Sequence, residues 1–93
     1  MGSVVKSRIN EDFRACFARL PPHVRKLARK QYRIWKDDPQ HPSLNFKRAK
    51  TAKPIYSVRI GIGWRALGLL HEDTVTWFWI GSHADYEAML KAI

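Results

Sequence analysis

The stretch that decides the fold is residues 55–86, IYSVRIGIGWRALGLLHEDTVTWFWIGSHADY. It contains three runs rich in β-branched and aromatic residues, separated by the turn signals Gly61-Ile62-Gly63 and His71-Glu72-Asp73. Links this short make consecutive strands run antiparallel. The predicted strands span residues 55–60, 64–70 and 74–81.

Two helices joined by a short link are predicted upstream of these strands. Asn10 is a suitable N-cap, and Glu11-Asp12 place negative charge in the first helical turn, where the helix dipole favours it. Apolar residues then recur at helical spacing until Pro21-Pro22, which ends the first helix and starts the second. The second helix ends at Asp37-Asp38-Pro39.

The remaining segments complete the element order β-α-α-β-β-β-α. A short strand is predicted over residues 4–9 and a loop over residues 41–45. Residues 47–54 form a basic, turn-like segment, with a short strand around residues 44–47 as the alternative. Ser82 can cap a final helix.

Length and composition restrict the class of protein. The chain has 93 residues, which suits a single domain over residues 1–93 with a modest core. No apolar run approaches the ~20 residues of a membrane span, and the N-terminus lacks the pattern of a signal peptide. Cys16 is the single cysteine and cannot form an internal disulfide, which agrees with a reducing compartment. We expect a cytoplasmic protein that does not associate with membranes.

The net charge of +9 is the strongest compositional signal. The basic residues are concentrated in residues 13–36 and 39–71, and neither stretch contains an acidic residue. A positive field of this kind attracts polyanions through counterion release and steers their approach. Nucleic acid is the first candidate partner and an acidic protein the second, while a basic surface without a ligand is the alternative.

Arg59 and Arg65 are charged residues inside otherwise apolar strands. Such a position is unfavourable unless the charge faces solvent or serves a site. If the strands pair around the turn at residues 61–63, the two arginines lie close together. Neighbouring guanidinium groups repel each other unless an anion lies between them, and their planar shape suits phosphate. The alternative is that both arginines face solvent on the open side of a sheet.

Residues 81–86, GSHADY, follow the last strand and contain two further candidates. His83 lies beside the strand end, and an imidazole can act as a general acid or base near neutral pH. Tyr86 can stack on a base or hold a phosphate. The alternatives are a solvent-exposed His83 in the first helical turn and a Tyr86 that packs in the core.

The aromatic residues of the last strand allow either a base-stacking platform or a buried core. Strict alternation places Trp77 and Trp79 on one face and Phe78 and Ile80 on the other. Consecutive aromatic residues usually mark a strand that is covered on both sides, which favours the core interpretation.

The sequence predicts neither a metal site nor a cofactor. Cys16 and the 4 histidines lack the spacing of zinc ligands. Gly61-Ile62-Gly63 is followed by a strand rather than by the helix of a phosphate-binding loop. The acidic residues are too few for a two-metal nuclease. Any RNA cleavage would therefore be metal-free and would depend on Lys, Arg, His and Tyr.

Three segments carry a family resemblance, which covers nearly the whole chain. They are IYSVRIG at residues 55–61, WRALG at 64–68 and WFWIGSHADY at 77–86. In this order and spacing, after a basic helical hairpin, they resemble the RelE/ParE superfamily of toxins from bacterial toxin–antitoxin systems. The resemblance implies a small RelE-like α+β fold. In that fold an antiparallel sheet carries the N-terminal helical hairpin on one side and has an open concave face on the other.

The resemblance also implies a function. RelE-type members are metal-independent endoribonucleases that cleave ribosome-bound mRNA and so inhibit translation, whereas ParE-type members inhibit DNA gyrase without chemistry. A non-catalytic basic RNA-binding module is a third alternative. The implied partners are an acidic cognate antitoxin, the ribosome and mRNA. The implied assemblies are a homodimer or a heterotetramer with the antitoxin.

The candidate catalytic residues follow from matching positions. Arg65 matches the arginine that stabilises the scissile phosphate, and Arg59 matches a basic residue of the same site. His83 lies where nuclease members place a catalytic Arg or His, and Tyr86 lies a few residues before the usual catalytic Tyr. Ser57 stands where the RelE-type site has a lysine. The candidate RNA-binding residues are Lys47, Arg48, Lys50 and Lys53, together with Arg25, Lys26, Arg29, Lys30 and Arg33 of the second helix.

Overall fold

The computed structural model describes residues 6–93, so residues 4 and 5 of the predicted first strand lie outside the described part. The strands are β1 (Lys6–Ile9), β2 (Lys47–Arg48), β3 (Ile55–Gly61), β4 (Trp64–His71) and β5 (Thr74–Ser82). The helices are α1 (Glu11–Ala18), α2 (Pro22–Asp37) and α3 (His83–Ala92), and a 3₁₀ turn spans Pro42–Leu44. The elements follow the predicted order, with the two-residue β2 added near the position of the alternative short strand.

The strands form one sheet in the order β1-β5-β4-β3-β2. Strands β2 to β5 pair antiparallel, whereas β1 pairs parallel with β5. Because β1 is separated from β5 by the helical hairpin and three strands, no tight turn imposes the antiparallel direction on this pair. The α+β fold is confirmed, and its sheet is mixed rather than wholly antiparallel.

The ends of the helices are set by local chemistry. The backbone N–H of Phe13 donates to Oδ1 of Asn10 at 2.9 Å, which confirms Asn10 as the N-cap of α1. Pro22 occupies the first turn of α2, where its missing N–H costs no hydrogen bond. The backbone N–H of Asp85 donates to Oγ of Ser82 at 3.2 Å and caps α3 as predicted. Helix α1 lies against β5, and α2 lies against β3.

The face of the sheet under α1 and α2, called the hairpin face here, carries the larger core. Trp35 of α2 is 1% exposed and makes edge-to-face contacts with Trp77 of β5 and with Phe46, at centroid distances of 5.4 and 5.6 Å. Aromatic contacts of this geometry add stability beyond the area that they bury. The other buried members include Leu20, Val24, Ala28, Leu44, Val58, Ile60, Ala66, Val75 and Ile80.

The opposite face of the sheet, called the α3 face here, carries a smaller core. Ala49, Ile55, Leu67 and Trp79 are its buried members, and Phe78 and residues of α3 pack against them. No residue of α3 is itself fully buried. Helix α3 therefore covers part of this face with half-buried side chains.

A β-bulge in β5 separates the tryptophans that strict alternation places together. Gly68 pairs with Trp77 and Leu67 pairs with Trp79, so Phe78 is an extra residue in β5. The bulge directs Trp77 to the core of the hairpin face and Trp79 to the core of the α3 face. The prediction that these tryptophans share one face is therefore wrong. With exposures of 4% and 8%, both are core residues rather than an open base-stacking platform.

Candidate cationic site at one end of the sheet

Arg59 and Arg65 are direct cross-strand partners at the end of the β3–β4 hairpin. Side chains opposite each other in an antiparallel pair share a face. The turn between them contains Gly63 at a φ of +84°, a conformation that suits glycine. A register shift between Arg59 and Gly61 adds a bulge immediately before the turn. The prediction that the two arginines flank one turn is confirmed.

The two guanidinium groups project from the α3 face. Val58 and Ile60 are buried in the core of the hairpin face, and Arg59 lies between them in the strand, so its side chain points the opposite way. Arg59 is exposed and Arg65 is half-buried. Nη1 of Arg65 donates to the backbone oxygen of Trp64 at 2.9 Å and more weakly to that of Gly61 at 3.4 Å. These bonds hold the Arg65 guanidinium close to the turn.

No acid neutralises this arginine pair within residues 6–93. The ion pairs of the described residues join Lys6 to Asp73, Arg14 to Glu11 and His83 to Glu87. Two adjacent like charges without a counter-charge favour the binding of an anion between them. A phosphate group suits this arrangement, because the planar guanidinium can donate two parallel hydrogen bonds to it.

His83 lies at the same end of the sheet as the arginine pair. Arg65 pairs with Gly81 across β4 and β5, and the backbone N–H of His83 donates to the oxygen of Gly63 at 2.7 Å. The start of α3 is therefore fixed to the β3–β4 turn. The imidazole is exposed, with Nε2 at 3.8 Å from Oε2 of Glu87. A neighbouring carboxylate of this kind can orient an imidazole that transfers protons.

Tyr86 lies between His83 and the core of the α3 face. Its ring stacks on the imidazole at a centroid distance of 5.6 Å and an interplanar angle of 26°. The same ring is half-buried and packs against the cluster that contains Leu67 and Trp79. This placement matches the packing alternative, and the packed ring also contacts the His83 imidazole.

Lys47 is brought to the arginine pair by the short strand β2. Lys47 pairs with Ser57 across β2 and β3, and Ser57 lies two residues before Arg59 on the same strand face. The exposed Lys47 therefore lies on the face that carries both arginines, whereas its neighbour Arg48 pairs with Tyr56 and lies on the hairpin face. The sequence offered no sign of this pairing, because a strand of two residues has no periodicity.

The other predicted RNA-binding residues are distributed over different parts of the molecule. Lys50 and Lys53 lie in the segment between β2 and β3, and both are exposed. The basic residues of α2 lie in the helical layer on the hairpin face, on the opposite side of the sheet from the arginine side chains. Two of them have local contacts: Nη1 of Arg25 donates to the oxygen of Leu20 at 2.6 Å, and the Arg29 guanidinium lies 5.2 Å from the Phe17 ring centroid. The exposed members are Lys26, Arg29, Lys30 and Arg33.

The described part of the chain offers no cluster of metal ligands. Nowhere in residues 6–93 do three or more His, Cys, Asp or Glu side chains come together in a way that could hold a metal ion. Over the same residues, no helix combines the length and the hydropathy needed to cross a membrane.

A comparison with models of protein families identifies the family of this chain. The family model of the ParE-like toxin domain matches residues 22–88, from the start of α2 into α3. The chain belongs to the ParE-like toxin family. This finding confirms the resemblance to the RelE/ParE superfamily that residues 55–86 carry.

Solved structures support the same fold. The RelB–RelE antitoxin–toxin complex of Methanococcus jannaschii contains a chain that matches with a TM-score of 0.70 and 16% identity, covering 87% of this chain and 95% of that one. The isolated RelE toxin of E. coli matches with a TM-score of 0.63 and 14% identity, covering 96% and 99%. A chain of the archaeal RelE–RelB complex of Pyrococcus horikoshii matches with a TM-score of 0.64 and 10% identity, covering 86% and 96%. At these identities the likeness establishes the fold. No curated protein sequence matches the chain.

Proposed function

We propose that this chain is the toxin of a toxin–antitoxin pair and a metal-independent endoribonuclease that cleaves ribosome-bound mRNA in the cytoplasm. The observation that carries the proposal is the cross-strand pair of Arg59 and Arg65, which has no acidic partner within residues 6–93. Lys47 on the same face and His83 at the same end of the sheet supply the further groups that RNA cleavage needs.

The chemistry is an internal transesterification of RNA. The 2′-oxygen attacks the adjacent phosphorus, the bond from phosphorus to the 5′-oxygen breaks, and a 2′,3′-cyclic phosphate forms. The proton of the 2′-hydroxyl passes to a base, and the departing 5′-oxygen takes up a proton from an acid. Arg59 and Arg65 would stabilise the extra negative charge on the pentavalent phosphate, and the His83 imidazole would transfer a proton.

Lys47 can supply the positive charge that is missing at Ser57, where the RelE-type pattern has a lysine. Ser57 replaces the lysine of the RelE-type pattern, and Ser57 is 3% exposed, so its hydroxyl is a poor substitute for an ammonium group. Because Lys47 pairs with Ser57 on the neighbouring strand, its long side chain can deliver the missing ammonium to the same face. We assign Lys47 to phosphate binding beside Arg59.

The partners follow from charge and from the related structures. The Methanococcus and Pyrococcus matches are chains of RelB–RelE complexes, and a net charge of +9 suits an acidic antitoxin. The same charge favours binding to ribosomal RNA and mRNA. The exposed Lys50 and Lys53 lie between β2 and β3, next to Lys47, and would extend the phosphate contacts.

Inhibition of DNA gyrase is the second candidate, because the matching family model is that of the ParE-like toxin domain. Such a toxin would act by protein–protein contact and would need no proton transfer. It predicts that His83→Ala keeps its toxicity. A non-catalytic RNA-binding module, the third candidate, would bind RNA with a steep salt dependence and leave every transcript intact.

The test is primer extension on a reporter mRNA after induced expression of the chain. Cleavage at fixed codon positions supports the ribonuclease, and we expect Arg65→Ala and His83→Ala to reduce it strongly. Intact mRNA with a DNA-damage response would support the gyrase target instead. If both variants arrest growth as strongly as the original chain while the reporter is cut, the assigned residues do not perform the cleavage.

A further inference from the structure

Gln31 is a buried polar residue of α2 to which the proposed cleavage assigns no role. Its side chain is 8% exposed and lies on the face of α2 that packs on the sheet. A buried amide is costly unless its polar groups have hydrogen-bond partners. Nε2 of Gln31 donates to the backbone oxygen of Arg59 at 3.0 Å and more weakly to that of Ser43 at 3.4 Å. Both acceptors are carbonyl oxygens, so these bonds need the NH₂ group of an amide.

The bond to Arg59 lies where the ladder between β3 and β4 is interrupted. Arg59 pairs with Arg65, and the next pair towards the turn is Gly61 with Trp64. Ile60 is therefore an extra residue in β3. A bulge of this kind disrupts the regular ladder and changes the direction of the side chains beside it. A hydrogen bond from the neighbouring helix adds a constraint at the residue where strand pairing alone constrains the backbone least.

The two arginines of the pair are held in different ways. The Arg65 guanidinium donates to backbone oxygens of the turn at 2.9 and 3.4 Å. Within residues 6–93 the Arg59 guanidinium has neither a hydrogen bond nor an ion pair. The direction of the Arg59 side chain therefore depends on the Arg59 backbone, and Gln31 bonds to that backbone.

Helix α2 packs closely enough on this end of β3 to hold it. A Cβ at Gly61 would lie 3.2 Å from Cδ1 of Leu27, which precedes Gln31 by one helical turn on the same face of α2. The 3₁₀ turn that contains Ser43 also contacts β3. The Gln31 amide thus lies between the end of β3 and this turn, and it bonds to both.

We propose that Gln31 is a positioning residue for Arg59. Its hydrogen bond fixes the bulged end of β3, so that the guanidinium groups of Arg59 and Arg65 can hold one anion between them. Without the bond, Arg59 keeps its charge but loses its fixed direction, and each anion must first order a freely moving side chain. The proposal rests on the proposed function only in that the anion would be the scissile phosphate of RNA.

The first test measures anion binding without any cleavage. Inorganic phosphate is titrated into the full chain while the Nε–Hε NMR signals of Arg59 and Arg65 are followed. We expect Gln31→Met, which removes the donor and keeps an unbranched side chain, to weaken phosphate binding about fivefold, the usual effect of one hydrogen bond. A phosphate affinity unchanged by Gln31→Met, or no response of Arg59 in the original chain, would overturn the proposal.

Two control variants separate positioning from general effects. Gln40→Met makes the same chemical change at the other glutamine of the chain, which is exposed. Val24→Ala removes buried volume from α2 without touching Arg59. Both should leave phosphate affinity unchanged. A loss with Val24→Ala equal to that with Gln31→Met would show that stability, and not the hydrogen bond to Arg59, determines anion binding.

The second test asks whether Gln31 acts through Arg59. The Arg59→Ala variant keeps the backbone oxygen that Gln31 binds but has no guanidinium to position. Gln31→Met should reduce cleavage of ribosome-bound reporter mRNA about fivefold in the original chain and cause no further loss in the Arg59→Ala variant. Equal losses in both backgrounds would refute a role through Arg59. Weakened phosphate binding in a chain that never cuts the reporter would leave the positioning role intact and count against the ribonuclease alone.

Discussion

The two faces of the sheet differ in what they bury and in what they expose. The hairpin face contains Trp35 and Trp77 in a large aromatic core that α1 and α2 cover. The α3 face has a smaller core under a helix with no fully buried residue, and it presents Arg59 and Arg65 at its open end. A small domain has few apolar side chains to bury. Concentrating them on one face leaves part of the other free for charged groups that would be costly in a core.

This division predicts that the largest loss of stability comes from the hairpin face. Trp35→Ala should lower the free energy of unfolding by about 3–5 kcal/mol, because it removes a side chain that contacts both Trp77 and Phe46. Trp35→Phe should cost less than half as much, since Nε1 of Trp35 has no hydrogen-bond partner among the described residues. Urea denaturation measures both. Similar losses for the two variants would contradict a role based on packing volume.

The largest functional loss should come from the α3 face, with little change in stability. Arg65→Ala should reduce cleavage of the reporter mRNA by about 10²–10³-fold, the usual effect of removing a group that stabilises a charged transition state. Arg65→Lys should recover part of the activity by restoring the charge without the planar fork. Lys91→Ala, a change of an exposed residue in the last turn of α3, is the control for net charge. Equal activity in all these variants would remove Arg65 from the site.

The β-bulge in β5 leads to a prediction of an intermediate loss of stability, at Gly68 on the neighbouring strand. A Cβ at Gly68 would lie 2.5 Å from Cγ1 of Val75 and 2.8 Å from the Trp77 ring. Gly68→Ala should therefore cost about 1–3 kcal/mol of unfolding free energy through overpacking. Adding Val75→Ala should recover part of that loss, because it removes the closer of the two contacts. A double variant less stable than the sum of the single changes would show that the clash does not limit the site.

The elements that could be predicted from the sequence are those whose geometry is local. The turn at residues 61–63 fixes the register of β3 and β4, so the pairing of Arg59 with Arg65 follows from the spacing of two strands. The caps Asn10 and Ser82 are equally local, because each side chain accepts a hydrogen bond from a backbone N–H three residues later.

The features that escaped prediction depend on distant parts of the chain. The bulge at Phe78 depends on how β4 packs against β5, and the sequence of β5 alone is compatible with unbroken alternation. The parallel direction of β1 depends on where the helical hairpin returns the chain. Neither of these leaves a periodic signal in the sequence.

The smallest predicted effect tests the least predictable member of the site, Lys47. Lys47→Ala should reduce reporter cleavage by about tenfold, the loss expected for one exposed phosphate contact. Arg48→Ala is the matched control, because it removes the same charge from the next residue, which pairs with Tyr56 and lies on the other face. If Arg48→Ala and Lys47→Ala lose activity equally, Lys47 contributes to cleavage only through the net charge of the protein. Its position on the face of the arginine pair would then not matter.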